Sequence, residues 1–262
     1  MSVLRVVLAA ALFGPSAGAP AAQGVDADRD RAAIRQAALD YAEGYYEGSA
    51  DRMERAVHPA LLKRGLLPPG VQERFLQLMN AETLVDLAAS AQGRPAADRH
   101  LDFALFDLGD DVASARIFTD QFDDYLLLAK QDGRWRIVSV LWQVPASAGT
   151  EQDRADAKRA AEEYFGAFYA HDPARLRAVV HPEMVRRTLR PGARGVLVLD
   201  DSNVDRLLGG LLRLPAAEGG PARVYDVRDR IASAAVTQEG RPSYLHLARQ
   251  DGRWRVVNVL SR

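Results

Sequence analysis

The stretch Tyr125-Leu-Leu-Leu-Ala-Lys-Gln-Asp-Gly-Arg-Trp-Arg-Ile-Val-Ser-Val-Leu141 returns almost unchanged as Tyr244-Leu-His-Leu-Ala-Arg-Gln-Asp-Gly-Arg-Trp-Arg-Val-Val-Asn-Val-Leu260, 119 residues on. In both places an apolar run, an Asp-Gly pair and a second apolar run follow one another. That order is a strong short-range signal for a β-hairpin. Recurrence of a whole hairpin marks a repeated structural unit, not a local coincidence.

Outward from the hairpin, Phe106-Asp107 … Val112-Ala-Ser-Ala115 and Tyr225-Asp226 … Ile231-Ala-Ser-Ala234 keep the same spacing. Further upstream the offset becomes 123. Tyr41-Ala-Glu-Gly-Tyr-Tyr46 matches Tyr164-Phe-Gly-Ala-Phe-Tyr169, and Ala56-Val-His58-Pro59 matches Val179-Val-His181-Pro182. The second copy has therefore lost four residues in its middle. Two copies of this size are two domains: copy one over residues 26–145 and copy two over 152–262. The small-residue run Val144-Pro-Ala-Ser-Ala-Gly-Thr150 supplies a linker at 146–151.

Within each copy the hydrophobic period changes from helical to extended. Ile34, Ala38, Tyr41 and Tyr45 lie on one face of a first helix that Asp26 or Asp28 can cap. Ala157, Ala161, Tyr164 and Phe168 form the equivalent stripe. A second helix starts at Ser49 or Asp172, with Pro173 in the first helical position, and ends at Val-His-Pro. A third follows Asn80, and in copy two Ser202. Phe103–Leu108, Val112–Thr119, Tyr125–Lys130 and Arg134–Trp142 then read as strands. Helices first and an antiparallel meander after them make an α+β fold.

Residues 1–22 follow other rules. Arg5 precedes the apolar run Val6–Phe13; Gly14-Pro15 breaks it, and small residues continue through Ala22. This is the tripartite layout of a secretory signal peptide, with cleavage between residues 19 and 22. The apolar run is much shorter than the ~20 residues of a membrane-spanning helix, and no cysteine follows it to carry a lipid, so no membrane anchor is expected. The expected destination is outside the cytoplasm, periplasmic or secreted. The chain of 262 residues has no cysteine, which excludes disulfides and thiol chemistry. Its formal net charge of −1 lacks the basic surplus of a nucleic-acid binder.

Chemistry-bearing motifs are sparse. No phosphate loop, dinucleotide fingerprint, nucleophile elbow or His-Glu-x-x-His occurs. His58, His100, His171, His181 and His246 include no pair at helical i, i+4 spacing, so neither metal nor cofactor is expected. Asp26-Ala-Asp28-Arg-Asp30 lacks the glycine and distal glutamate of a calcium loop. His58 and His181 can hydrogen-bond a ligand, or satisfy backbone groups where helix two ends. Tyr41, Tyr164, Tyr125 and Tyr244 can turn hydroxyls into a cavity or simply fill a core. Trp135 and Trp254 begin the last strand. Counting by two places Ile137, Ser139 and Leu141, or Val256, Asn258 and Leu260, on the same inward face. A catalytic acid would have to be an Asp or Glu raised by burial. Of the repeated acids, Asp110/Asp229 and Asp132/Asp251 sit in turns, leaving Asp107 and Asp226.

Copy one, through Tyr45-Tyr46-Glu-Gly-Ser-Ala-Asp-Arg-Met-Glu-Arg-Ala-Val-His58-Pro59 and Asp124 to Trp142, resembles the nuclear-transport-factor-2-like superfamily. Within it, copy one is similar to the bacterial family labelled "putative lumazine-binding". Copy two is similar more loosely, with His171 in place of Gly48 and Ser261 in place of Trp142. The resemblance implies cone-shaped domains, each a curved antiparallel sheet around helices with a pocket at the open end. It also implies sheet-to-sheet pairing, here available within one chain as a pseudo-dimer. The expected function is binding of a small hydrophobic or aromatic ligand without catalysis, through Tyr41, His58, Tyr125, Ser139, Trp142, Tyr164, His181, Tyr244 and Asn258. One alternative is an isomerase or dehydratase using His58, Asp107 and Tyr41 in the first cone. Another is an accessory protein-interaction scaffold.

Overall fold

The computed structural model describes residues 20–66, 76–91, 93–210 and 219–262, and the side chains of residues 20–25, 97 and 194 are not described. The signal-peptide reading thus falls almost wholly outside the described residues. Copy one runs α1 (Pro20–Glu47), α2 (Ala50–Ala56), β1 (Val57–Leu66), β2 (Leu76–Asn80), α3 (Ala81–Ser90), β3 (Leu101–Leu108), β4 (Val112–Thr119), β5 (Asp123–Gln131) and β6 (Arg134–Gln143). Copy two repeats that order as α4 (Glu151–Tyr169), α5 (Pro173–Val179), β7 (Val180–Pro191), β8 (Leu197–Asn203), α6 (Val204–Gly210), β9 (Ala222–Arg228), β10 (Ile231–Gln238), β11 (Arg241–Gln250) and β12 (Arg253–Ser261). Each copy forms one six-stranded sheet, ordered β2-β1-β6-β5-β4-β3 and β8-β7-β12-β11-β10-β9. The fold is α+β in two tandem domains.

Local chemistry explains most element ends. The Ser49 and Asp172 side chains accept the Arg52 and Arg175 amides and so cap α2 and α5. Thr150 and Asp153 close a reciprocal capping box on α4. Asp132 and Gly133 have φ of 50° and 72°, and Asp251 and Gly252 repeat this at 49° and 71°. These are the left-handed conformations that a two-residue hairpin needs to match strand twist.

The structure corrects three sequence-based expectations. First, α1 begins at Pro20, so Asp26 and Asp28 lie inside the helix and do not cap it; Ala21, Ala22 and Gln23 are good helix formers that carry it upstream. Second, helix two does not end on His-Pro. α2 stops at Ala56, and Val57 enters a strand that pairs in parallel with β6, so the sheet is not wholly antiparallel. The register between Val57 and Leu62 slips, leaving His58-Pro59 in a bulge. There His58 Nδ1 accepts the Ala60 amide at 3.0 Å, and His181 Nδ1 accepts the Glu183 amide at 3.1 Å. The imidazoles satisfy donors that the interrupted ladder leaves free, not carbonyls at a helix end.

Third, counting by two fails along the last strand. Leu128 pairs with Ile137 but Leu127 pairs with Ser139, so one residue bulges; copy two repeats this at Leu247/Val256 and His246/Asn258. One extra residue exchanges the faces beyond it. Trp135, Ile137 and Val140 pack on the helices, whereas Val138 and Leu141 face the other way. Ser139, opposite Leu127, and Asn258 therefore lie on the face away from the helices.

Those outward faces are covered by each other. One buried cluster joins Leu66, Phe118, Tyr125 and Leu141 to Ile231, Ala248 and Val257. A second joins Val112, Leu127 and Val138 to Leu189, Ala235, Tyr244 and Leu260. Equivalent residues meet: Ser114 Oγ lies 3.0 Å from Ser233 Oγ. Arg64 donates to the Glu183 carbonyl at 3.0 Å, and Arg187, its counterpart, donates to the Ala60 carbonyl at 2.6 Å and also to the Val138 carbonyl. Only 1% of Arg187 is exposed. Arg64 also donates to Asn258 Oδ1 at 2.6 Å, and Asn258 Nδ2 lies 3.3 Å from Nδ1 of the buried His246.

Removing one partner of a buried charged network strands the others, at a cost of about 3–5 kcal/mol. Arg187→Ala should therefore lower the unfolding free energy by that amount, while exposed Arg190→Ala should change it by less than about 0.5 kcal/mol. Urea titration of both variants checks this, and equal effects would contradict it.

Acid sensitivity has a defined sign. Burial and then Arg64 push the His246 imidazole down to about 3, and burial, Arg64 and Arg255 push His181 down to about 4. Both are neutral in the fold but protonate near pH ~6.5 when unfolded. Stability is full above that pH and falls as pH drops toward the folded-state values, by about 1.4 kcal/mol per unit per histidine. His246→Leu, which installs the residue found at Leu127, should reduce the slope between about pH 6 and 4.5 by that amount. Urea unfolding across this range measures it, and an unchanged slope would refute the assignment.

Candidate functional site

The helix-facing side of the copy-one sheet leaves a cavity of about 270 Å³. Tyr41 and Tyr45 reach it from α1, Met53 from α2, and Leu84 and Leu87 from α3. Lys63 (β1), Met79 (β2), Trp142 (β6) and the Gln121-Phe122 turn complete the wall. Strand alternation selects these residues. Leu61, Lys63 and Gly65 point toward the helices and Arg64 toward the other sheet; on β5, Asp124 and Tyr125 divide in the same way.

At the cavity's inner end sits a charged cluster. Lys63 Nζ donates to Asp124 Oδ1 at 3.2 Å and to the Tyr41 hydroxyl, which in turn donates to Asp124 Oδ2 at 2.9 Å. Asp124 is fully buried and Lys63 nearly so. The ammonium lies 5.1–5.2 Å from the ring centroids of Tyr41, Phe122 and Trp142, within cation–π range. Burial pulls the Lys63 ammonium below its ordinary range, against the attraction of Asp124. Burial likewise raises the Asp124 carboxyl, against Lys63 and the Tyr41 hydroxyl. Burial and then the Asp124 charge push the Tyr41 phenol well above its usual value.

Trp142 owes its place to a glycine. Gly65 is its register partner across β1 and β6, and a β-carbon on Gly65 would lie 2.1 Å from the indole Nε1. In copy two the same partners are Thr188 and Ser261. Where the indole is gone, the glycine is gone too. The charged cluster also changes: Arg186 replaces Lys63 and Ser243 replaces Asp124. Arg186 Nη1 and Nη2 donate at 3.4 Å to the Tyr164 hydroxyl and Ser261 Oγ, with the guanidinium over Phe168. The copies share a buried tyrosine beside a cation, but only copy one pairs that cation with an acid.

Of the residues expected from sequence to bind ligand, Tyr41 and Trp142 line the copy-one cavity, and Tyr164 occupies the corresponding place in the copy-two core. His58 and His181 sit in the strand bulges. Tyr125, Tyr244, Ser139 and Asn258 lie between the sheets. Asp107 accepts a hydrogen bond from the Tyr225 hydroxyl at 2.9 Å, in a groove of about 590 Å³ that neither His58 nor Tyr41 lines. His58, Asp107 and Tyr41 are thus not brought together. Asp26, Asp28 and Asp30 lie inside α1, where Asp30 binds Lys130 Nζ at 2.7 Å and Trp135 Nε1 at 2.9 Å. Among the described residues no metal-binding group of acids and histidines converges, and no helix is long and apolar enough to cross a membrane.

Sequence reasoning missed Lys63 and Asp124. Asp124 is not a repeated acid, having Ser243 as its counterpart, so repetition between the copies does not point to it. The usable signal was the opposite one: Lys63, Gly65, Asp124 and Trp142 all change between the copies.

Residues 29–143 match the family described as "Putative lumazine-binding". A search of the curated proteins finds no match. Among solved structures, the chain is similar to a nuclear-transport-factor-2-like protein of unknown function from Shewanella baltica, at 25% identity and TM-score 0.40, over 46% of this chain and 97% of that one. It is also similar to one from Methylobacillus flagellatus, at 25% identity and TM-score 0.38, over 45% and 94%. A third, from Silicibacter pomeroyi, has 19% identity and TM-score 0.38, over 45% and 98%. The chain thus carries two tandem α+β domains, the first of which is similar, over residues 29–143, to the family described as "Putative lumazine-binding".

Proposed function

We propose that copy one binds a small aromatic molecule in its cone without catalytic turnover. The observation that carries this reading is an apolar cavity walled by Tyr41, Tyr45, Phe122 and Trp142 and ending on a single cationic donor, Lys63. Its volume is near the lower end of the ~300–1,000 Å³ usual for small-molecule pockets. Aromatic walls favour a flat ring system, and Lys63 favours one bearing a carbonyl or ring-nitrogen acceptor. A lumazine-type heterocycle has that chemistry. Asp124 is absent from the cavity wall, and its oxygens already accept from Tyr41 and Lys63, which speaks against its taking a proton directly from a bound ligand.

In this reading the second copy serves as the packing partner of the first, an internal pseudo-dimer. Support comes from the pairing of equivalent residues across the sheets: Ser114 with Ser233, Arg64 with the Glu183 carbonyl and Arg187 with the Ala60 carbonyl. We further propose that the chain is exported after cleavage between residues 19 and 22, on the pattern of Arg5, the apolar run and the small residues that follow.

Calorimetric titration with lumazines, flavins and simple aromatic carbonyls should find one site per chain for at least one compound. Trp142→Ser and Gly65→Ala should each weaken it by about tenfold, or ~1.4 kcal/mol, while Arg186→Ala in copy two should leave it unchanged. Absence of binding across the panel, or loss of binding through Arg186→Ala alone, would overturn the assignment. For export, the mature N-terminus in a periplasmic or secreted fraction should map by mass spectrometry to residues 20–22. Intact Met1 confined to the cytoplasm would refute it.

A further inference from the structure

Only three of the 34 basic residues are lysine: Lys63, Lys130 and Lys158. Lys130 is ion-paired with Asp30 at 2.7 Å and Lys158 with Glu162 at 2.5 Å, both at partly exposed positions. Lys63 alone lines an apolar cavity, at a position where copy two has Arg186. A guanidinium holds its charge in any protein, whereas an amine can give up its proton and become a nucleophile. The group that can take that proton is already in place, because Asp124 Oδ1 lies 3.2 Å from Nζ.

We propose that Lys63 forms a reversible imine with an aromatic aldehyde or ketone held in the copy-one cavity; this rests on the reading of that cavity as a ligand site. One Nζ proton passes to Asp124, leaving a neutral amine and a neutral carboxyl. The Nζ lone pair attacks the carbonyl carbon; the C=O π pair moves to oxygen, which takes a second proton from nitrogen to give a carbinolamine. The proton on Asp124 reaches the carbinolamine hydroxyl through Tyr41, which lines the cavity, passes on its own hydroxyl proton and takes the one from Asp124; the C–O bond breaks, water leaves, and the nitrogen lone pair closes a protonated C=N bond. The net change is one water released per carbonyl bound. The product keeps a cation beside the Asp124 carboxylate and between the Tyr41, Phe122 and Trp142 rings, so no buried charge is stranded. Burial weakens the hold of Lys63 on its proton and strengthens that of Asp124, which favours the first transfer.

The test uses the full chain with benzaldehyde and cyanoborohydride, and benzyl alcohol as the partner that cannot form an imine. Peptide mapping should place the reduced benzyl adduct on Lys63 at about ten times the level on Lys130 or Lys158, since the latter two are held in ion pairs with Asp30 and Glu162 and line no apolar cavity. Lys63→Arg should remove that adduct and leave the other two unchanged. Binding of benzyl alcohol, read by ligand-observed NMR, reports the cavity alone. If the alcohol binds and Lys63 is labelled no more than the surface lysines, the imine is refuted and the pocket stands. If the alcohol does not bind and Lys63 is not selectively labelled, both fail. Selective labelling of Lys63 supports the imine whatever the alcohol does.

Discussion

The structure depends on the mutual burial of two outward sheet faces. In copy one the face turned away from the helices carries Leu66, Phe118, Tyr125, Leu127, Val138 and Leu141, which solvent exposure would make costly. The equivalent face of copy two covers it, and two buried arginines, Arg64 and Arg187, tie the contact. Because Arg64 and Arg187 each reach main-chain carbonyls in the other copy, this contact also fixes where β1 and β7 run. β1 in turn places Lys63 on the cavity side. The site in the first cone is thus set by a strand whose other face is held by the second domain.

The repeat then becomes informative through its differences. Both cones retain a tyrosine on the first helix next to a cation on the first strand. Copy one adds an acid, Asp124, and an indole, Trp142, accommodated by Gly65; copy two has Ser243, Ser261 and Thr188 at those places. The Lys63–Asp124 pair is internally neutral, so an uncharged ring can approach it without stranding a charge. Copy two presents Arg186 to a tyrosine and a serine instead, a different polar environment.

Much of the architecture was legible in the sequence because it is encoded locally. Asp-Gly turns bracketed by apolar runs located β5, β6, β11 and β12, and helical stripes such as Ala157, Ala161, Tyr164 and Phe168 located the core faces of the helices. β1 was not legible. Most of its residues are buried on both faces, so it shows no alternation, and its parallel pairing with β6 is a long-range event without a turn signal. The bulge beside Ser139 was equally invisible, since one extra residue leaves composition unchanged while exchanging every face beyond it. For the site, Tyr41 was readable from its stripe and Trp142 from its contrast with Ser261. Lys63 and Asp124 needed the fold, because 61 residues of chain separate two groups that lie 3.2 Å apart.

The three tryptophans provide a direct reading of where a ligand sits. Trp135 Nε1 is bonded to Asp30, Trp254 lies in the copy-two core, and Trp142 borders the copy-one cavity. Titration with a lumazine-type heterocycle, followed through the three indole N–H resonances in a nitrogen-15 spectrum, separates these environments. Binding in the copy-one cavity should move the Trp142 resonance in a saturable way while those of Trp135 and Trp254 stay in place. Movement of Trp254 with Trp142 unmoved would contradict it, as would three unmoved resonances at saturating ligand.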